Sequence, residues 1–145
     1  MADAFLPPLT KRVRVPRPLA ETFRLFTDEM AAWWPLATHS VGREDAVDVR
    51  VEGRVGGRII ETTKDGTSHT WGTLTDWSPP ERLAFTWHPG YDEAAATHVD
   101  VTLAAAQDGT DLTLVHSKWP DPDGTETRAM YDTGWDYVLS GLWAG

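Results

Sequence analysis

The chain has 145 residues, no cysteine and a formal net charge of −9; that length suits one domain, and disulfides, thiolate nucleophiles and cysteine zinc sites are excluded. The charge is uneven, with 9 basic and 8 acidic side chains in residues 1–60 against 4 and 14 in residues 61–145. The acidic second half lacks the basic stripe that nucleic acids need and is unsuited to anionic membrane surfaces. No apolar run approaches the roughly 20 residues of a membrane span. The N-terminal MADAFLPPLTKRVRV has no basic-then-apolar leader, so a soluble cytoplasmic protein with no nucleic-acid or membrane partner is expected.

Residues 1–10 are expected to form a loose arm, because Pro7-Pro8 blocks regular structure, and residues 11–145 a single domain. Lys11 to Val15 alternates charged and apolar side chains, which predicts a half-buried strand ended by Pro16. Pro18 suits a first helical turn, and Leu19, Phe23 and Phe26 then share one face of a helix ending near Asp28. A second short helix is expected from Met30 to Trp34, stopped by Pro35.

From Asp45 the period changes to two. Val47, Val49 and Val51 alternate with Asp48, Arg50 and Glu52, predicting a strand. Gly56-Gly57 reads as a turn and Arg58–Thr63 as a strand. Asp65-Gly66 carries a strong hairpin signal. Ser68–Trp77 and Arg82–Trp87 are the next two strands, and a second hairpin joins 97–105 to 110–118 about Asp108-Gly109. After the loop at Pro120–Gly124 comes a last helix, with Asp123 and Glu126 resembling a capping box. Its apolar face is Tyr131, Trp135, Val138, Leu139 and Leu142. Gly134 inside this helix suggests close approach to a strand.

Strand parity places Phe85 and Trp87 on the inner face with Val101, Leu114 and His116. Trp77 shares parity with Trp71 unless a bulge intervenes; Trp71 is favoured inward, and the side taken by Leu74 is left open. Trp33 and Trp34 are adjacent, so one should face the interior and the other the surface or the helix junction. Buried tryptophans need a partner for the indole N–H, and a ligand-sized cavity can supply one. His116 is the best polar candidate in such a cavity, its alternative being a hydrogen bond to the last helix or to Tyr131. Glu61 is either solvent-facing, paired with Arg58 or Arg82, or an acid within the cavity.

The five histidines (39, 69, 88, 98 and 116) form no H-E-x-x-H or other close ligand spacing, so no metal site is expected. Gly53, Gly56 and Gly57 precede no helix, so they are not a dinucleotide fingerprint, and there is no phosphate loop or G-x-S-x-G elbow. No cofactor is expected.

Five features in order carry a family resemblance. They are the helix-ending FTD (26–28) followed by WWP (33–35), the GGR turn (56–58), the PPERLAFTW strand (79–87), the GTDLTLVH strand (109–116) and the late GW (134–135). Together they resemble the START-like, or helix-grip, SRPBCC superfamily. Within it, the chain is similar to the C-terminal domain of the activator of the heat-shock-protein-90 ATPase. The resemblance implies an α+β helix-grip fold. A curved antiparallel sheet of about seven strands would wrap a long C-terminal helix, with two short helices after the first strand and a cavity between sheet and helix. It also implies non-covalent binding of a small hydrophobic or aromatic molecule in that cavity. Trp34, Trp71, Phe85 and Trp87 are expected to line it, with Trp135 from the helix. His116 and Tyr131 would orient a polar end. Two alternatives stand beside this reading. One is a co-chaperone acting through its surface on a heat-shock-protein ATPase, although this bacterial-type chain is one bare domain. The other is a cyclase- or hydrolase-like enzyme using Glu61 or His116 as acid or base.

Overall fold

A computed structural model describes residues 5–120 and 124–144, the side chains of Trp143 and Ala144 excepted. Two strand residues, β1 (Phe5–Leu6), precede the first sheet strand, β2 (Leu9–Val15). Two short helices follow, α1 (Leu19–Phe26) and α2 (Met30–Trp33). Then come β3 (Ala46–Val51), β4 (Arg58–Thr63), β5 (Ser68–Ser78) and β6 (Arg82–Trp87). The chain continues through β7 (Thr97–Ala106), β8 (Gly109–Ser117) and a two-residue β9 (Trp119–Pro120) into α3 (Thr125–Ala144).

The main sheet has seven antiparallel strands in the order β2-β8-β7-β6-β5-β4-β3. It curls into a half-barrel, and α3 lies across its concave side, which is the α+β helix-grip architecture. Consecutive strands pair as hairpins, whereas β2 reaches β8 from the other end of the chain (Val13 opposite Leu112). Gly66, at φ 85°, turns the β4–β5 hairpin, and the Asp65 carboxylate accepts from the Thr63 hydroxyl and the Thr67 amide.

The inner face follows strand parity. Leu83, Phe85 and Trp87 on β6, Val99, Val101 and Leu103 on β7, and Leu112, Leu114 and His116 on β8 are all buried. Helix α3 contributes Trp135, Val138, Leu139 and Leu142 to the same core. Parity fails on β5, where Trp71 and Leu74 are both buried and Trp77 packs edge-on against Phe23 of α1 at 5.1 Å. Register shifts flank Trp71 in the β4 pairing and Thr75 in the β6 pairing. Each bulge inserts one residue and reverses alternation beyond it, so the three large side chains reach the core at intervals of three rather than two. Val47 is likewise skipped by a bulge in β3 and is exposed.

Residues 5–10 depart from the loose arm expected of residues 1–10, of which residues 1–4 lie outside the described residues. β1 pairs with β9, Phe5 opposite Pro120 and Leu6 opposite Trp119. Arg128 Nε on α3 donates to the Pro7 carbonyl at 2.6 Å. Proline removes its own N–H but not its carbonyl, so Pro7-Pro8 can still be anchored from outside. The expected capping residue Asp123 lies outside the described residues. Among those residues, no helix is long and apolar enough to cross a membrane.

Candidate functional site

A cleft of about 680 Å³ opens where three segments meet. One wall is α3 from Met130 to Val138. Another is the loop that leaves α2, from Trp34 to Arg43, and the third is the end of β6 with the turn at Pro89-Gly90.

The floor is built from tryptophans. Trp34 sits at the end of α2, where Pro35 forbids a further helical turn. Its ring centroid lies 5.1 Å from Trp71 and 5.9 Å from both Trp87 and Trp135. These separations fall in the range where aromatic rings attract beyond the area they bury. Trp33, its neighbour, turns instead into the α1–α2 junction, packing on Phe26 and donating its indole N–H to the Leu25 carbonyl at 2.7 Å.

Of the residues expected to contact a ligand, Trp34, Trp87, Tyr131 and Trp135 line the cleft. Trp71, Phe85 and His116 lie beneath it, each at most 1 % exposed. The expectation that a ligand would supply partners for the indoles does not hold, because the protein satisfies them itself. Trp34 Nε1 donates to the His39 carbonyl at 2.7 Å and Trp87 Nε1 to the Tyr131 hydroxyl at 3.2 Å. Trp135 Nε1 donates to His116 Nδ1 at 2.9 Å. Only a small part of each floor indole reaches the cleft, for Trp34 is 7 %, Trp87 2 % and Trp135 2 % exposed.

His116 is a neutral structural hub. Since Nδ1 accepts from Trp135, its proton sits on Nε2, which donates to Thr97 Oγ1 at 2.6 Å; the tautomer follows from the network. Burial, with a smaller contribution from His98, pushes the imidazole down to about 3. Tyr131 is driven the other way. Burial and the neighbouring Tyr91 hold its phenol well above the ordinary value, so it is protonated at neutral pH.

Glu61 is fully buried on β4 and pairs with neither Arg58 nor Arg82. Its Oε1 accepts from the Val41 amide at 2.8 Å and from Trp71 Nε1 at 2.8 Å, and its Oε2 from the Gly42 amide at 2.7 Å. Three donors suit the acceptor-only oxygens of a carboxylate. Glu61 thus fastens the loop wall of the cleft to the Trp71 beneath its floor. Gly42 is required by this approach, since a Cβ there would stand 2.6 Å from Thr63 and 2.9 Å from the Glu61 carboxylate. Arg82 is occupied on the outer face by Asp76 and Asp100.

Sequence reasoning missed the rim, namely Thr38, Ser40, Val41 and Arg43 on the loop and Met130 and Gly134 on α3. The adjacent His39-Ser40 pair was the one available signal. His39 stacks on Tyr137 of α3 at 4.9 Å, bridging loop and helix. Gly134 does not bring α3 against a strand. A Cβ built there meets nothing within 4 Å, whereas one at Gly141 would lie 2.6 Å from the Trp33 carbonyl. The close packing of α3 is at Gly141, and Gly134 faces open space. Among the described residues, no group of His, Asp and Glu could hold a metal ion.

The family model for activator of Hsp90 ATPase homolog 1-like protein matches residues 16–144. Among solved structures, an anthrahydroquino-γ-pyrone synthase, Txn09, is 32% identical, with 77% of each chain covered and a TM-score of 0.57. The Aha1 dimer from Colwellia psychrerythraea is 18% identical over 95% of this chain and 94% of that one, at a TM-score of 0.71. DynU16, a putative protein in the dynemicin biosynthetic locus, is 20% identical over 96% of this chain and 46% of that one, at 0.72. The last two show the shared fold alone. No curated protein matched the sequence.

Proposed function

The chain belongs to the activator of Hsp90 ATPase homolog 1-like family, and from that premise and the geometry of its cleft we propose that it binds a small aromatic molecule between α3 and the sheet. The observation that carries this reading is the cleft beside Gly134, whose lining includes the Tyr131 phenol and the largely buried rings of Trp34, Trp87 and Trp135, each with its indole N–H bonded within the protein. Its volume falls within the roughly 300–1,000 Å³ of small-molecule sites. The guest would slide over the Gly134 backbone and pack on Trp34, Trp87 and Trp135, with the Tyr131 phenol beside it.

Position 134 gives the clean test, because a buried ring such as Trp87 belongs to ligand floor and core alike. Replacing Trp87 by alanine would cost about 3–5 kcal/mol of stability and confuse the two roles. Gly134→Leu instead fills the open space while removing a helix-interior glycine. The expected result is that phenylnaphthylamine, a neutral aromatic probe, binds the wild type and is lost in the variant, whose fold is no less stable. Native mass spectrometry of freshly purified protein, repeated after denaturing extraction, should also reveal a carried small molecule. Unchanged probe binding in Gly134→Leu would overturn the reading. A ligand-free native mass, with stimulation of a purified chaperone ATPase, would favour the surface-mediated role instead.

The 32% identity to a pyrone synthase favours a second reading, ring-closing chemistry on a confined aromatic precursor. Neither Glu61 nor His116 lines the cleft, so the proton donor would be Tyr131. Turnover of such a precursor that Tyr131→Phe abolishes while phenylnaphthylamine still binds would support it.

A further inference from the structure

The cleft has a polarity that its aromatic floor does not reveal. Arg43 supplies the one formal charge among its lining residues, and no Asp, Glu or Lys joins it. In a protein of net charge −9, this arrangement singles out one end of the site. The acids of α3 that could have faced the cleft turn away, for Lys11 Nζ on β2 meets Asp132 at 2.5 Å and Asp136 at 3.0 Å. Glu44, Asp45, Asp92 and Glu93, on the adjoining turns, are exposed and do not line it.

The hydrogen bonds around the cleft leave Arg43 as its available donor. The floor indoles are engaged within the protein. At the rim, Ser40 Oγ donates to the Leu36 carbonyl at 2.5 Å and the Thr38 hydroxyl meets His39 Nδ1 at 2.7 Å. The Arg43 guanidinium, which carries five N–H donors, makes no hydrogen bond or ion pair among the described residues. Its backbone is held at φ 50°, a left-handed conformation uncommon for a residue with a side chain. The hold comes from the Glu61 grip on Gly42, the Asp45 amide donating to the Gly42 carbonyl at 3.0 Å, and the Ala46 amide donating to Arg43 itself. Non-glycine residues in this backbone region cluster at active sites and ligand clamps.

Resting on the cleft-binding reading above, we infer that the ligand is a planar aromatic anion, its rings on the tryptophan floor and its acidic group paired with Arg43. A carboxylate, sulfonate or phenolate attached to fused rings has this chemistry. Arg suits the task because its planar fork meets an oxyanion with two parallel hydrogen bonds and also stacks on ring faces.

The test uses two probes with the same rings, anilinonaphthalene sulfonate and the uncharged phenylnaphthylamine, titrated into the intact protein and followed by fluorescence. Wild type should bind the sulfonate more tightly. Arg43→Gln should weaken the sulfonate by about fivefold, the scale of one partly exposed ion pair, and leave phenylnaphthylamine unchanged. Arg43→Lys should keep part of the preference. If Arg43→Gln leaves the sulfonate unaffected, or weakens both probes equally, the anionic subsite is overturned while the aromatic cleft stands. If Gly134→Leu fails to displace either probe, the cleft reading falls, and the subsite with it.

Discussion

Trp135 on α3 donates its indole N–H to Nδ1 of His116 on β8 at 2.9 Å, joining helix and sheet through a polar contact between two buried side chains. The imidazole is committed on both sides, since its other nitrogen donates to Thr97. Protonating Nδ1 would set two donors face to face.

A pH dependence of stability follows. The folded His116 value, about 3, lies below the unfolded value near 6.5. Between these the unfolded chain binds a proton that the folded one does not, so stability is full above about pH 6.5 and falls as pH drops toward 3. From pH 7 to pH 4 the loss from this group should be on the order of 3 kcal/mol. Urea unfolding at both pH values would measure it. In His116→Gln the baseline stability should be lower and the difference between the two pH values smaller by that amount. An equal difference in variant and wild type would assign the acid sensitivity elsewhere.

Glu61 acts on the cleft from below, through Val41, Gly42 and Trp71. In Glu61→Gln one acceptor oxygen becomes an NH₂ group that meets an N–H donor. The expected cost is about 1–3 kcal/mol, the range for an unsatisfied buried polar group. The loop wall should loosen before the sheet does, so amide hydrogen exchange at Val41 and Gly42 should accelerate while β7 and β8 stay protected. Uniform acceleration would mean that Glu61 supports the whole fold rather than the cleft wall.

Two glycines in one helix should respond oppositely to the same change. Gly134→Ala adds a methyl to open space and removes a poor helix former, so stability should rise by about 1 kcal/mol. Gly141→Ala places its Cβ 2.6 Å from the Trp33 carbonyl, so α3 must move off α2 and stability should fall despite the better propensity. Thermal unfolding of the two variants compares them directly, and a rise in both would contradict the packing described at Gly141.

The large features were legible because they depend on periodicity. Alternation in 97–105 and 110–118 located β7 and β8 and their buried faces, and the spacing of Trp135, Val138, Leu139 and Leu142 located α3. The Glu61 clamp was not legible, since it joins residues 19 and 20 positions apart and no local pattern marks a carboxylate reaching a loop amide. Trp71, Leu74 and Trp77 show the limit within a strand, where two bulges change the period from two to three. Bulges answer to the neighbouring strands rather than to the bulged one.

By itself, the sequence determined which segments are strands and helices, that the chain has apolar faces enough to close one core, and that its aromatic residues concentrate where sheet and helix meet. These follow from local propensity and from the side-chain periods of the two backbone forms. Tertiary structure alone decided which tryptophans border open space, that their N–H groups are satisfied internally, that Gly134 faces a cleft, and that Arg43 stands at its mouth. Each of these depends on where distant segments lie relative to one another, a property carried by packing rather than by any stretch of sequence.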